Sequence, residues 1–136
     1  MPSTPFSWQS RVRFADTDAS ARIFYVSLLR HFDAAETEFL RHIGCSYRDL
    51  ETRELSFPRV RVECDFTSML RFDDLMDIEV WTDYIGRTSF RLGFRVAVEG
   101  REAARAKLTI VTINRREGRP IPIPEKLRVG LETATR

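Results

Sequence analysis

Two aspartates separated by a single threonine stand in the most informative segment of the chain, Arg13-Phe-Ala-Asp16-Thr-Asp18-Ala-Ser-Ala21-Arg-Ile-Phe24-Tyr25-Val-Ser27. The segment joins a stretch that alternates like a strand to the only long stretch with helical periodicity. A carboxylate in such a loop can lie beside a helix N-terminus, where unpaired backbone N–H groups and the positive end of the helix dipole sit. That pairing has a chemical use. The free N–H groups can polarise a carbonyl while the carboxylate attacks it or activates a water. The same residues also suit simple capping of the turn and the helix start, the commoner use of aspartate at such a junction. Local physics leaves both readings open.

The elements that must position this segment follow from hydrophobic periodicity. Over residues 24–43, a step of 100° per residue gathers Leu28, Leu29, Phe32, Ala35, Glu36, Phe39, Leu40 and Ile43 into an arc of roughly 140°. Gly44 is placed to end this helix in the left-handed conformation. Most of the remaining chain alternates with period two. Phe6, Trp8, Ser10, Val12 and Phe14 face one way, and Val60, Val62, Cys64 and Phe66 alternate with Arg59, Arg61, Glu63 and Asp65. Ile78, Val80 and Tyr84 form a third set, Phe90 to Val98 a fourth, and Ala104 to Ile110 a fifth. Short Gly-containing links at Gly86 and Gly100 predict an antiparallel meander for the last three strands. A five-stranded antiparallel sheet with one apolar face needs a cover, and the single amphipathic helix is the only candidate. The expected architecture is therefore α+β, one domain over 1–136, with the sheet curled around one long central helix. One helix covers only part of such a sheet, so open edges predict self-association. Arg119-Pro-Ile-Pro-Ile-Pro124 reads as extended chain leading into a short helix over Glu125–Leu131.

Composition narrows the function classes. The chain has 136 residues, 43% apolar, with 22 basic and 20 acidic side chains and a net charge of +2. The signs are interspersed, which argues against a nucleic-acid arm, and no aromatic stacking pair interrupts the basic strand faces. Arg11, Arg13, Arg59, Arg61, Arg91, Arg95, Arg105 and Lys107 are expected on an outward face, paired across strands with neighbouring acids. One or two arginines near the site are expected to meet a phosphate. No apolar run approaches the ~20 residues needed to cross a bilayer, and the first residues lack the basic and apolar regions of a signal peptide, so a cytoplasmic protein is expected. Cys45 and Cys64 form no metal or disulfide motif and read as small packing residues.

Phe-Ala-Asp-Thr-Asp followed by Ile23-Phe24-Tyr25 and Leu-Leu-Arg-His-Phe-Asp-Ala-Ala resembles the hotdog-fold acyl-CoA thioesterases, in the branch named for 4-hydroxybenzoyl-CoA thioesterase. The resemblance continues through Arg71-Phe-Asp-Asp-Leu-Met-Asp-Ile-Glu-Val, Gly86-Arg-Thr-Ser-Phe90 and Ile121-Pro-Ile-Pro-Glu, and the strand–helix–four-strand order is that family's order. It implies that Asp18 is the catalytic carboxylate, as nucleophile or general base, and that the backbone N–H of Tyr25 binds the thioester oxygen. It also implies that Arg87, Thr88 and Ser89 contact the pantetheine or nucleotide portion of coenzyme A, and that the site is completed at a subunit interface of a homodimer or homotetramer. A thioester is already electrophilic and its thiolate leaves well, so no metal or cofactor beyond the substrate's own coenzyme A is required. The alternatives are release of an acyl or polyketide chain from an acyl carrier protein, and a non-catalytic acyl-binding protein.

The chain departs from the family pattern at three places. Ala21 stands where the family usually has Gly; if that position needs positive φ, Ala costs on the order of 1 kcal/mol, and a rerouted loop is the alternative. Val26-Ser27 replaces the polar residue after the helix-start aromatic, leaving Ser27 as a weaker hydroxyl contact. Glu36 stands where members frequently carry Arg. As the one charge in the apolar arc, Glu36 reads either as a second active-site carboxylate or, preferably, as the partner of an Arg from the sheet or a second subunit. His31 and His42 lie ~16 Å apart along the helix at ~1.5 Å per residue, too far to share a metal ion, and are expected at the surface or rim.

Overall fold

A computed structural model describes residues 5–51 and 54–136. The signal-peptide reading, made on Met1 to Trp8, lies partly outside them. In chain order the elements are β1 (Phe6–Arg11), a 3-10 turn (Phe14–Asp16), α1 (Ser27–His42), α2 (Tyr47–Glu51), β2 (Leu55–Ser56), β3 (Arg59–Phe66), β4 (Leu75–Ile85), β5 (Ser89–Val98), β6 (Arg101–Val111), β7 (Ile113–Asn114) and α3 (Glu125–Glu132). The main sheet runs β1-β4-β5-β6-β3, antiparallel throughout, with β2 and β7 as a separate two-residue ribbon. The expected meander is β4-β5-β6, and the strand–helix–four-strand order holds. No described helix is long and apolar enough to cross a membrane.

The core forms between α1 and the inner faces of the sheet. Leu28, Phe32, Ala35, Phe39 and Leu40 of α1 join Met76, Ile78, Val80, Phe90, Leu92 and Phe94 in one buried cluster. The Phe32 and Phe94 rings meet with centroids 4.8 Å apart. Gly44 ends the helix at φ +83° as expected, with the Cys45 N–H reaching back to the Leu40 carbonyl at 2.8 Å.

Several expectations are corrected. The helix starts at Ser27, because the Phe24 N–H is already committed to the Asp16 carbonyl at 2.7 Å and Tyr25-Val26 forms a turn. Phe14 belongs to the 3-10 turn and is 79% exposed, stacked edge-on against Phe72 instead of packed in the core. β3 is largely exposed: Val60, Val62 and Phe66 are exposed and Cys64 is half-buried, on an edge strand that α1 meets through the Glu36–Arg59 pair. Arg59 turns inward. A register shift between Arg59 and Arg61 changes the pleat there, and Arg59 pairs with the buried Glu36. Arg95 bridges Glu79 across the sheet at 3.2 Å as expected and Glu102 at 3.1 Å, and Arg91 and Lys107 share Asp83, whereas Arg61 pairs with Glu63 on its own strand.

Candidate active site

Asp18 sits at the tip of a small hairpin. From the base outward, Phe24 N–H donates to the Asp16 carbonyl, Thr17 pairs with Ile23, and Asp18 N–H donates to the Arg22 carbonyl at 3.0 Å. The tip closes with Ala21 N–H on the Asp18 carbonyl at 3.0 Å. Ala21 has φ +63°, so the loop keeps the left-handed geometry despite its alanine. The outer arm is stitched to the chain before β4, with Ile23 N–H on the Leu70 carbonyl at 2.8 Å and Phe72 N–H on the Ala21 carbonyl at 3.2 Å.

The Asp18 carboxylate is exposed, and its Oδ1 accepts the Ser20 N–H at 2.8 Å and the Ser20 hydroxyl at 2.5 Å. These bonds, with the nearby Arg22 charge, hold the carboxyl below the usual range. It is therefore an anion at neutral pH, and Oδ2 stays uncommitted among the described residues. Three residues along the hairpin from Arg22, about 10 Å of extended chain, lies Tyr25. Its N–H and that of Val26 have no acceptor among the described residues. A cleft of about 350 Å³ opens beside them, lined by Arg22, Ile23, Tyr25, Phe66, Met69 and Leu70. Asp18 is outside this lining, at the hairpin tip. The arrangement puts an anion and free amides of a helix N-terminus on one rigid hairpin next to an apolar cleft, which suits attack on a polarised carbonyl.

Ser27 opens α1 and is buried, its N–H donating to the Phe24 carbonyl at 2.8 Å. Arg87, Thr88 and Ser89 form the β4–β5 hairpin at the other end of the sheet. β1 pairs Arg11 with Leu75, so the Asp18 loop leaves at the start of β4, whereas the hairpin follows Ile85. Ten residues of strand separate the two, roughly 33 Å at ~3.3 Å per residue. A single chain does not bring Arg87, Thr88 and Ser89 to Asp18. The hairpin is instead braced by the C-terminal segment, with Arg87 accepting the Ile123 N–H at 3.0 Å and Thr88 accepting the Thr112 N–H at 2.8 Å.

Two polar clusters were not foreseen in this form. His31, expected at the surface, is 7% exposed; its Nε2 lies 2.8 Å from Asp16 Oδ2 and its Nδ1 2.6 Å from Ser10 Oγ. Burial alone would raise the Asp16 carboxyl, but hydrogen bonds from the Arg13 N–H and His31 outweigh it and hold it low. The helical spacing did not signal this: His31 falls just outside the apolar arc of α1, and its partners come from β1 and the 3-10 turn. Further along α1, Glu36 is held by Arg59 and the Tyr47 hydroxyl, the structural reading preferred above. Burial still pushes its carboxyl up against these partners. Among the described residues, no group of three or more His, Cys, Asp or Glu side chains is arranged to hold a metal ion.

A family model described as the thioesterase-like superfamily matches residues 12–131. The acyl-CoA thioester hydrolase YbgC of Escherichia coli is 25% identical over 128 residues, 93% of this chain and 96% of that protein. The 1,4-dihydroxy-2-naphthoyl-CoA hydrolase of Synechococcus elongatus is 24% identical over 129 residues, 93% and 95% of the two chains. Among solved structures, the gentisyl-coenzyme A thioesterase BH1999 superposes with a TM-score of 0.84 at 29% identity, covering 93% of this chain and 99% of that one. A sheet wrapped on one helix, the loop that carries Asp18 and a match across nearly the whole chain converge: this chain belongs to the thioesterase-like superfamily and has the hotdog fold.

Proposed function

We propose that the chain is an acyl-CoA thioesterase of one domain over 1–136, with Asp18 as its carboxylate and the Tyr25 N–H as the donor to the thioester oxygen. The observation that carries this reading is the hairpin that holds an ionised Asp18 and leads directly into unpaired amides at the start of α1. The acyl group enters the cleft beside Tyr25, whose Ile23, Phe66, Met69 and Leu70 walls suit an apolar or aromatic chain. Asp18 either attacks the carbonyl carbon, expelling the coenzyme A thiolate and leaving a mixed anhydride that water cleaves, or takes a proton from the attacking water. In both routes negative charge grows on the carbonyl oxygen, where the Tyr25 N–H and the α1 dipole stabilise it. Relatives named as hydrolases of naphthoyl-, gentisyl- and other acyl-CoA thioesters support the substrate class.

A homodimer or homotetramer is part of this proposal. The exposed apolar side of β3 supports an interface, and the distance between Asp18 and Arg87-Thr88-Ser89 leaves a coenzyme A contact at that hairpin to a second copy. The test is thiol release from acetyl-, hexanoyl-, palmitoyl- and benzoyl-CoA by wild type and Asp18→Ala. Turnover of at least one thioester by wild type, lost in a normally folded variant, is the expected result. Wild-type turnover by Asp18→Ala overturns the assignment. Faster release from an acyl carrier protein bearing the same acyl group reassigns the substrate, and binding without thiol release makes the chain a non-catalytic acyl binder.

A further inference from the structure

We infer that His31, acting through Asp16 and braced by Ser10, is a positioning residue that locks the Asp18 hairpin to the start of α1; this rests on the site reading above. Three separate elements meet in the chain of bonds. Ser10 is on β1, Asp16 ends the 3-10 turn, and His31 lies on α1, one turn after Ser27. Asp16 Oδ2 accepts from the Arg13 N–H at 2.8 Å as well as from His31, and the Asp16 side chain is almost wholly buried.

The topology shows what this holds. The two arms of the hairpin are anchored differently. The outer arm, Ala21 to Ile23, is stitched by backbone bonds to Leu70 and Phe72. The inner arm begins at Asp16, and its side-chain tie to α1 runs through His31. Asp16 is two residues before Asp18, and its carbonyl binds the N–H of Phe24, the residue before Tyr25. A shift of Asp16 relative to α1 therefore moves the carboxylate and the amide together or apart. An ionised carboxylate only accepts hydrogen bonds, so His31 Nε2 carries the proton toward Asp16. The Ser10 hydroxyl can donate to or accept from Nδ1, so the chain survives either charge state of the ring.

Near-attack geometry is steep: a displacement of about 1 Å can cost on the order of a hundredfold in rate. His31→Phe keeps a ring of similar size and removes both hydrogen bonds. On the fastest thioester of the acyl-CoA panel it is expected to lower kcat by about ten- to a hundredfold, with KM changed far less. His31→Gln, whose side-chain amide can still donate to Asp16, is expected to recover most of that loss. A general packing defect would not be rescued this way. A folded His31→Phe with wild-type kcat overturns the inference, as does a Gln variant no better than Phe. If His31→Phe does not fold, Ser10→Ala decides: wild-type kcat overturns the inference and a lowered kcat at unchanged KM upholds it. Asp18→Ala is assayed in parallel. If it stays active, the site reading fails and takes this inference with it. If it is dead while His31→Phe is unimpaired, only the positioning role falls.

Discussion

Ala21→Gly should stabilise this protein, against the usual direction of an alanine-to-glycine change. At φ +63° the Ala21 methyl crowds the following carbonyl, at a cost of about 1–2 kcal/mol. Glycine removes that strain but gives the unfolded chain more freedom, a loss of about 0.4–1 kcal/mol. The net gain is about 0.5–1 kcal/mol. Ala19, two residues away in the same exposed turn, is not among the residues with positive φ, so Ala19→Gly carries only the entropic loss. The two substitutions share the same unfolded-state term, and their difference isolates the backbone strain. With a urea m-value of ~1–3 kcal/mol/M, the unfolding midpoints should separate by roughly 1 M, Ala21→Gly above wild type and Ala19→Gly below. Equal shifts of the same sign would refute the claim that alanine is strained in this loop.

Ser20→Ala removes one of the two Ser20 bonds that hold the Asp18 carboxyl down. In the proposed mechanism Asp18 acts as an anion, so activity is lost as pH falls through its lowered value, and the variant's acid limb in kcat/KM should move to higher pH; a limb that stays put refutes the link. Glu36→Ala leaves the Arg59 guanidinium without its counter-ion, bonded to the Phe57 carbonyl and the Tyr47 hydroxyl; breaking a fully buried pair costs ~3–5 kcal/mol, but Arg59 keeps about a third of its side chain in water, so about 2–3 kcal/mol is expected in urea unfolding. A loss below ~0.5 kcal/mol, the level of ordinary surface changes, would mean that the pair does not brace the helix. Gly93→Ala would put its methyl 2.4 Å from Trp81 Cε2, so a loss of about 1–3 kcal/mol and an altered Trp fluorescence spectrum are expected; an unchanged spectrum with unchanged stability would contradict the close approach.

The strands in their chain order, the long helix and its glycine stop could be read from periodicity and turn residues because a half-buried sheet imposes alternation on its strands. The same alternation misled at β3. Val60, Val62 and Phe66 carry the pattern of a buried face, yet nothing in this chain covers them, so periodicity records a face suited to burial without saying what buries it. The chemistry of a strand-to-helix junction is local and marks out the loop over residues 16–18, but the choice of Asp18 and Tyr25 comes from the family resemblance. His31 could not be picked out, since its partners Ser10 and Asp16 are 21 and 15 residues away and meet it only through the fold. Arg59 was placed on the wrong face for a similar reason: a register shift reverses the pleat and leaves no mark in composition.

The pairing of β1 has a consequence for how the chain assembles. Its partner β4 begins 64 residues after β1 ends, and no hairpin links them. β4, β5 and β6 need only short turns to find one another, so the meander can zip locally while β1 waits. Non-local closure of this kind is slow, typically milliseconds to seconds in sheet-rich domains. The hairpin of Asp18, anchored at Leu70 and Phe72, can mature only after that closure, which makes the Asp18 corner a late-folding part of the molecule.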